Sequence, residues 1–382
     1  MKQVYLDYAA ATPIDREVVQ AMQAAMADFT NPASPYTSGR NARKELQNAR
    51  KKLAMFLGAN LDEIIFTSGA SESNNLAILG TARTKVKGEI ISVQTEHSSI
   101  REPLSQLENE GYKVKWCEVD KNGRINESQF AKLLTKKTIM VSISLANSEY
   151  GTIEDISRLS RIVHQFNEQE KCNILFHTDA SAAALVQNCT ISRLGVDLLT
   201  LSSAKVYGPT GIGLLYVRRG TEIQPLIYGG NQESGLRAGT ESVFLAVGFA
   251  KAVELIQKYQ KKDDEHFREL YTQLSKYFEQ KGIQLNGDQK KRLYSILNVS
   301  FNNLNGEDLV AYLDIQGFEV STGAACEVSN QLPSKALLSL GLSKKYAQGS
   351  LRISFGRTTT KSDLSAFTKA LDATLTILEQ KK

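Results

Sequence analysis

The sequence predicts an α/β fold built on a mostly parallel sheet, and two observations carry that reading. Short apolar runs rich in β-branched residues recur at Glu89–Val93, Thr138–Ser144, Ile174–His177, Leu198–Leu201 and Gly213–Val217, the unbroken pattern of strands buried on both faces. Several of these runs are separated by stretches of helical periodicity, the alternation that lays helices over parallel strands. The amino-terminal helices read from their stripes: Val18, Val19, Met22, Met26 and Phe29, then Leu46, Ala49, Leu53 and Phe56, recur at three- and four-residue spacing. A further helix is expected from about Glu241 to Tyr259, after which the texture changes. Asp263–Gly282 is charged and amphipathic, Leu293–Phe301 alternates, and Leu364, Phe367, Leu371, Leu375 and Leu378 form a closing helical stripe with Ser362 as N-cap. A second, smaller α+β domain is therefore expected from about residue 256 onward.

Composition narrows the function. A chain of 382 residues buries a large core without staples, and its four cysteines are scattered, with no paired or zinc-like spacing. Each cysteine is by default buried filler. Forty-six Lys plus Arg against 41 Asp plus Glu give a net charge of +5, spread too evenly for a nucleic-acid footprint. The amino terminus carries no apolar core of signal-peptide length, and no run of about 18 apolar residues exists to cross a membrane. A cytoplasmic protein with no direct nucleic-acid or membrane partner is expected.

Three segments carry chemistry. Glu63-Ile64-Ile65-Phe66 reads as a strand that feeds Thr67-Ser68-Gly69-Ala70-Ser71-Glu72, a small-residue turn opening a helix. Such a turn offers free backbone N–H groups to an anion. Ile174–His177 runs on to Asp179, an acid at the carboxyl end of a buried strand, where open α/β sheets bind ligands. Leu199-Thr200-Leu201 ends in Ser202, Ser203, Ala204 and Lys205, and a lysine held there can form a Schiff base. A phosphate cradle, an acid and a lysine at strand ends of one domain are together what pyridoxal phosphate needs. Thr95-Glu96-His97 adds an imidazole, and Gly229-Gly230-Asn231 through Gly235–Thr240 adds a second donor-rich turn.

On these residues the chain resembles the cysteine desulfurases of the class V, fold type I aminotransferase group. The resemblance runs through Leu6-Asp7-Tyr8, Asn31–Ser34, Thr67–Glu72, Thr95–His97, Asp179-Ala180, Lys205 with Tyr207-Gly208-Pro209, Gly235–Thr240, Ala325-Cys326 and Arg352–Arg357. It implies a pyridoxal-phosphate-dependent transferase fold: a large cofactor domain over residues 14–255 and a smaller α+β domain from residues 1–13 and 256–382 that carries a cysteine loop. Lys205 would hold the cofactor and move protons, Asp179 would pair with the ring nitrogen, and His97 would stack on the ring and act in proton transfer. Ala70, Ser71 and Ser202 would bind the phosphate, with Asn147, Ser148 and Ala204 beside the cofactor. Thr240 would complete this site in a neighbouring subunit, implying a homodimer. Arg352, helped by Asn147, would take the substrate carboxylate. Cys326, in an aperiodic stretch of small and polar residues that reads as a mobile loop, would accept sulfur from L-cysteine as a persulfide, leaving L-alanine. The sulfur acceptor would be an iron–sulfur scaffold or a tRNA-thiolation protein. Selenocysteine lyase and a weakly active sulfur-relay or scaffold-binding paralogue are the alternative functions.

The chain departs from the family pattern at several positions. Ala204 replaces the histidine that usually precedes the lysine, Ala182 replaces a glutamine that donates to the cofactor, and Ser148 replaces the second asparagine of Asn-Asn-Glu. Tyr36 and Asn231 replace a histidine and a glycine. Each lost neutral hydrogen bond is worth about 0.5–1.5 kcal/mol, so an active enzyme with a looser or reshaped pocket is expected.

Overall fold

The structure is a computed structural model and describes residues 3–323 and 333–380. Its strands, in chain order among the described residues, are β1 (Val4–Tyr5), β2 (Ile64–Thr67), β3 (Glu89–Val93), β4 (Lys113–Cys117), β5 (Thr138–Ser142), β6 (Leu175–Asp179), β7 (Leu198–Ser202), β8 (Gly213–Val217), β9 (Gln284–Leu285), β10 (Ile296–Ser300), β11 (Phe318–Glu319) and β12 (Ser350–Ser354). Seven of them form the main sheet in the order β2-β8-β7-β6-β5-β3-β4. Within it β8 alone runs antiparallel to its neighbours, so the sheet is mostly parallel as the apolar runs predicted. Every residue of β2, β3, β7 and β8 is buried, which is why these strands read as unbroken apolar runs.

The carboxyl ends of β2, β3, β5, β6 and β7 share one edge of the sheet. The antiparallel β8 starts at that edge, with Gly213 facing Thr67 on one side and Ser202 on the other. Only glycine fits at this point: a Cβ on Gly213 would sit 2.7 Å from the Gly69 carbonyl carbon. Gly69 itself, at φ 155° and ψ 178°, occupies backbone space reserved for glycine. The turn before the cradle is thus specified by two glycines 144 positions apart in the chain.

The rest of the chain packs on this sheet and beyond it. Helix Val243–Gln280 lies against helices Arg16–Met26 and Thr37–Leu57 over one face, then continues to a three-stranded antiparallel sheet, β12-β10-β9. The amino-terminal β1 pairs in parallel with β11, and Asp7 bridges to Ser354 at the end of β12. Residues at the two ends of the sequence therefore share one small unit. Among the described residues no helix is long and apolar enough to cross a membrane.

Several local expectations need correction. Helix Arg16–Met26 stops short of Phe29, which is 98% exposed, and of the predicted stripe only Val18 is fully buried. The two helices read around residue 256 are one helix of 38 residues. Its texture changes because its first half is buried on most sides and its second half lies on the surface. The closing helix is capped by Thr360 rather than Ser362: the Thr360 hydroxyl accepts from the Asp363 N–H, and the Asp363 carboxylate accepts from the Thr360 N–H, a reciprocal cap. Strand β4, Lys-Val-Lys-Trp-Cys at the sheet edge, lacked a run to predict it.

Candidate active site

The loops that leave the carboxyl ends of β2, β3, β5, β6 and β7 line a cavity of about 490 Å³. Its walls include Ala70, Ser71, His97, Asn147, Ser148, Asp179, Ser202, Ala204, Lys205 and Arg352, ten of the twelve residues singled out from sequence. Thr240 is exposed and lies off this cavity. Cys326 lies outside the described residues. The described cysteines behave as filler: burial pushes the thiols of Cys117 and Cys189 up to about 11 and about 12, far from a working thiolate.

Lys205 follows β7 in a short helical turn, and its Nζ donates to the carbonyls of Ala9 and Ala10, both at 2.6 Å. The next-but-one residue, Tyr207, sits at φ 62°, a strained position for an aromatic residue. It is held there by contacts on both sides: its N–H donates to the Thr12 hydroxyl, its carbonyl accepts from Asp15, and the Arg357 guanidinium lies 4.3 Å from its ring centroid. The lysine turn is thereby fastened to the amino-terminal segment.

Asp179 ends β6. Its Oδ2 accepts from the Asn74 amide at 2.8 Å and its Oδ1 from the Ser181 N–H at 2.8 Å, so both oxygens are oriented. Asn74 comes from the helix behind the cradle, Ala70–Asn75, which continues through the π-helical turn Leu76–Gly80. Nothing in the sequence marked Asn74 apart from the adjacent Asn75. His97 caps helix Ser98–Asn109, its Nδ1 accepting from the Ser99 N–H at 3.1 Å. Enclosure by the cavity walls lowers its pKa, against the raising pull of Asp179. Beside it the fully buried Glu96 accepts from the Ser144 N–H and hydroxyl, and burial pushes its carboxyl up to about 7.

Arg352 projects from β12 with its side chain almost fully buried. One nitrogen donates to Asp7 at 2.8 Å and another to the Ser148 carbonyl at 3.1 Å, while Nε has no partner among the described residues. Asn147 braces the cavity wall: its Nδ2 donates to the Thr95 carbonyl, and its Oδ1 accepts from the N–H groups of Glu149 and Tyr150.

Two ion pairs tie the turn around residues 229–240 to the cradle. Arg50 forks onto Glu233 at 2.7 and 2.8 Å, and Glu233 also accepts from the Phe66 N–H at the end of β2. Arg237 reaches Glu72 at 3.0 Å, and Glu72 accepts from Ser68 in the turn itself. Glu233 and Ser234 hold positive φ of 48° and 58°, so the turn is strained where it is fastened.

Residues 4–367 match the aminotransferase class-V family. The chain belongs to that family. A cysteine desulfurase IscS from Dictyoglomus turgidum is 42% identical over 369 residues, 95% of this chain and 92% of the relative. A cysteine desulfurase IscS 1 from Archaeoglobus fulgidus is 37% identical over 96% of this chain and 95% of its own. Among solved structures, a NifS-like protein superposes with a TM-score of 0.92 at 33% identity, covering 98% of this chain and 100% of that one. The protein SspA, solved in complex with cysteine, superposes at 0.81 with 32% identity over 92% and 98%.

Class-V aminotransferases work with pyridoxal phosphate, and the donor set here fits that group. The first turn of a helix supplies unpaired N–H groups beside Ser71 for a phosphate. An oriented carboxylate, a lysine with access to the same cavity and a half-paired, buried arginine complete the set. Ala182 and Ala204 line the wall as small residues, so the cavity is roomier where the family pattern carries glutamine and histidine.

Proposed function

We propose that the chain is a cysteine desulfurase, which moves the sulfur of L-cysteine onto Cys326 and releases L-alanine. One observation carries the reading: Lys205, Asp179, His97 and Arg352 line a single cavity in a chain aligned over nearly its full length with cysteine desulfurases. Pyridoxal phosphate, when bound, supplies an electron sink for the pair left on the substrate α-carbon. Lys205, whose Nζ donates to the Ala9 and Ala10 carbonyls at the cavity wall, would hold the cofactor and carry protons at the substrate carbons. Asp179, oriented by Asn74 and Ser181, would pair with the ring nitrogen and keep it protonated. Ala70, Ser71 and Ser202 hold the phosphate. Arg352, which lines the cavity, would take the substrate carboxylate. The Cys326 thiolate attacks the substrate sulfur: a sulfur–sulfur bond forms, the carbon–sulfur bond breaks, and the carbon that keeps its pair is protonated to the methyl of alanine.

The reading extends to assembly and partners. The working unit is a homodimer in which Thr240 reaches the phosphate of the second subunit. In support, Thr240 is exposed, and Met26, Phe29 and Tyr228 leave apolar surface open on the single chain. Residues 14–255 form the cofactor domain, and residues 1–13 with 256–382 form the smaller one. The persulfide passes to an iron–sulfur scaffold or a tRNA-thiolation protein in a reducing, cytoplasmic setting that keeps Cys326 reduced. The test is direct. The purified protein should show the visible absorption of lysine-bound pyridoxal phosphate and release sulfide from L-cysteine, and Cys326→Ala should abolish sulfide release while keeping the absorption. Loss of the absorption in wild type, or undiminished release by Cys326→Ala, would end the proposal.

A further inference from the structure

His97 and Asp179, which both line the cavity, are joined by a short chain of hydrogen bonds that passes through the buried Asn74. The Asn74 Nδ2 donates one proton to Asp179 Oδ2 at 2.8 Å and its other to Ser99 Oγ at 2.9 Å. The Ser99 Oγ stands 2.8 Å from His97 Nδ1. The direction of every bond is fixed by groups that cannot reverse. A carboxylate only accepts, so the Asn74 amide must turn its NH₂ toward Asp179. A backbone N–H only donates, so the Ser99 N–H at 3.1 Å makes His97 Nδ1 an acceptor. The Ser99 hydroxyl, accepting from Asn74, then spends its own proton on Nδ1 as well.

We infer that His97 is held as a neutral imidazole with its proton on Nε2, and that Asn74 is a positioning residue that sets this tautomer's hydroxyl donor and the Asp179 carboxylate with one amide. Three further observations agree. Asn74 is fully buried, and its Oδ1 has no partner among the described residues, so the amide is held in place at the expense of an unsatisfied oxygen. His97 sits at the N-terminus of helix Ser98–Asn109, whose dipole opposes an imidazolium. The charges that face the ring are Asp179, which favours the imidazolium, and Lys205, Arg101 and Arg352, which oppose it. A helix N-terminus keeps a working histidine neutral in the same way in triosephosphate isomerase.

The consequence concerns proton traffic. A neutral imidazole with Nδ1 occupied has no free lone pair to offer a ligand. Nε2, which has no partner among the described residues, presents an N–H. His97 therefore donates a hydrogen bond, and the removal of a substrate proton falls to Lys205. This deepens the proposed function and rests on it only for what lies beside His97; the tautomer itself is a property of the protein.

The experiment uses full-length protein labelled with ¹⁵N in its four histidines, observed by NMR with pyridoxal phosphate bound and after its removal, His97→Gln giving the assignment. At mildly alkaline pH His97 should show a proton on Nε2 and a bare Nδ1 in both states. Ser99→Ala, which removes one donor to the neutral form, should raise the His97 pKa by about half to one unit, a threefold to tenfold change in proton affinity. Asn74→Leu should raise it in the same direction, and the double variant should move it no further than Ser99→Ala alone, because Asn74 acts through Ser99. A wild-type proton on Nδ1, or additive shifts in the double variant, would overturn the inference. The wild-type measurement decides even where Asn74→Leu fails to fold. Failure of pyridoxal phosphate to bind would sink the functional reading and leave this one standing.

Discussion

Removing the Arg50 guanidinium tests what fastens the strained turn beside the cradle. The side chains of Arg50 and Glu233 are 9% and 1% exposed, and the pair is bidentate, with a further bond from Arg50 to the Ile64 carbonyl and the guanidinium 4.7 Å from the Phe66 ring centroid. Arg50→Met keeps most of the packing volume but leaves the Glu233 carboxylate buried without its cation. Breaking a buried pair on one side costs about 3–5 kcal/mol, whereas an exposed pair contributes about 0–1 kcal/mol. Lys281→Met, which removes the partner of Asp372 in a pair of roughly half-exposed side chains, is the matched control. Urea denaturation of the two variants, followed by far-ultraviolet circular dichroism at saturating pyridoxal phosphate, should show a loss several times larger for Arg50→Met. The deficit should be accompanied by weaker cofactor retention, because Glu233 also bonds the Phe66 N–H just before the cradle. A loss no larger than that of Lys281→Met would refute the view that this pair holds the turn.

Other outcomes follow from the same geometry. His177 is fully buried between the Ser142 and Thr200 hydroxyls with its pKa lowered from 6.5 to about 4, so the unfolded chain binds more protons and stability rises with pH through that window by about 3 kcal/mol. Glu96, raised from 4.5 to about 7, works in the opposite sense and removes about 3 kcal/mol as pH rises from 4.5 to 7. The two should nearly cancel in wild type, while His177→Gln shows stability falling with pH and Glu96→Gln shows it rising; parallel profiles in both variants would contradict this. Gly213→Ala drives a Cβ to 2.7 Å from the Gly69 backbone and should cost about 1–3 kcal/mol and loosen phosphate binding, measured by cofactor titration. Asp7→Asn frees the buried Arg352 of its anionic partner and should tighten binding of a small carboxylate roughly tenfold in calorimetry, since the ligand no longer competes with Asp7; unchanged affinity would mean that Asp7 does not compete.

The sheet was largely legible because its strands are buried on both faces. Glu89–Val93 and Gly213–Val217 have the same ends in sequence and structure. Strand β4 was hidden for a physical reason: it is an edge strand whose lysines and partly buried apolar residues alternate, protecting an open edge from mispairing. Phe29 fitted a helical stripe by spacing alone, yet the helix ends before it and its ring stands in the open. Of the site, the residues at strand ends were readable from local pattern joined to family resemblance. Asn74, Glu96 and Asp7 were assigned no role because each works across a large sequence separation, 105 residues from Asn74 to Asp179, 48 from Glu96 to Ser144 and 345 from Asp7 to Arg352. No periodicity encodes such a contact.

The amino-terminal segment sets an order of events during synthesis. Its β1 strand needs β11 as a partner, Asp7 needs Arg352, and the carbonyls of Ala9 and Ala10 face Lys205. The contacts of residues 4–10 are therefore completed only when β11 and β12, more than 300 positions further along the chain, have been made. The phosphate turn, by contrast, finds β8, the sheet neighbour of its strand β2, once little more than half of these residues have been made. A nascent chain can form the main sheet early and still lack two of the groups that surround its lysine and arginine. Full assembly of the cavity consequently comes after the main sheet can form, and Asp7→Ala would act on that late docking step rather than on the folding of the sheet.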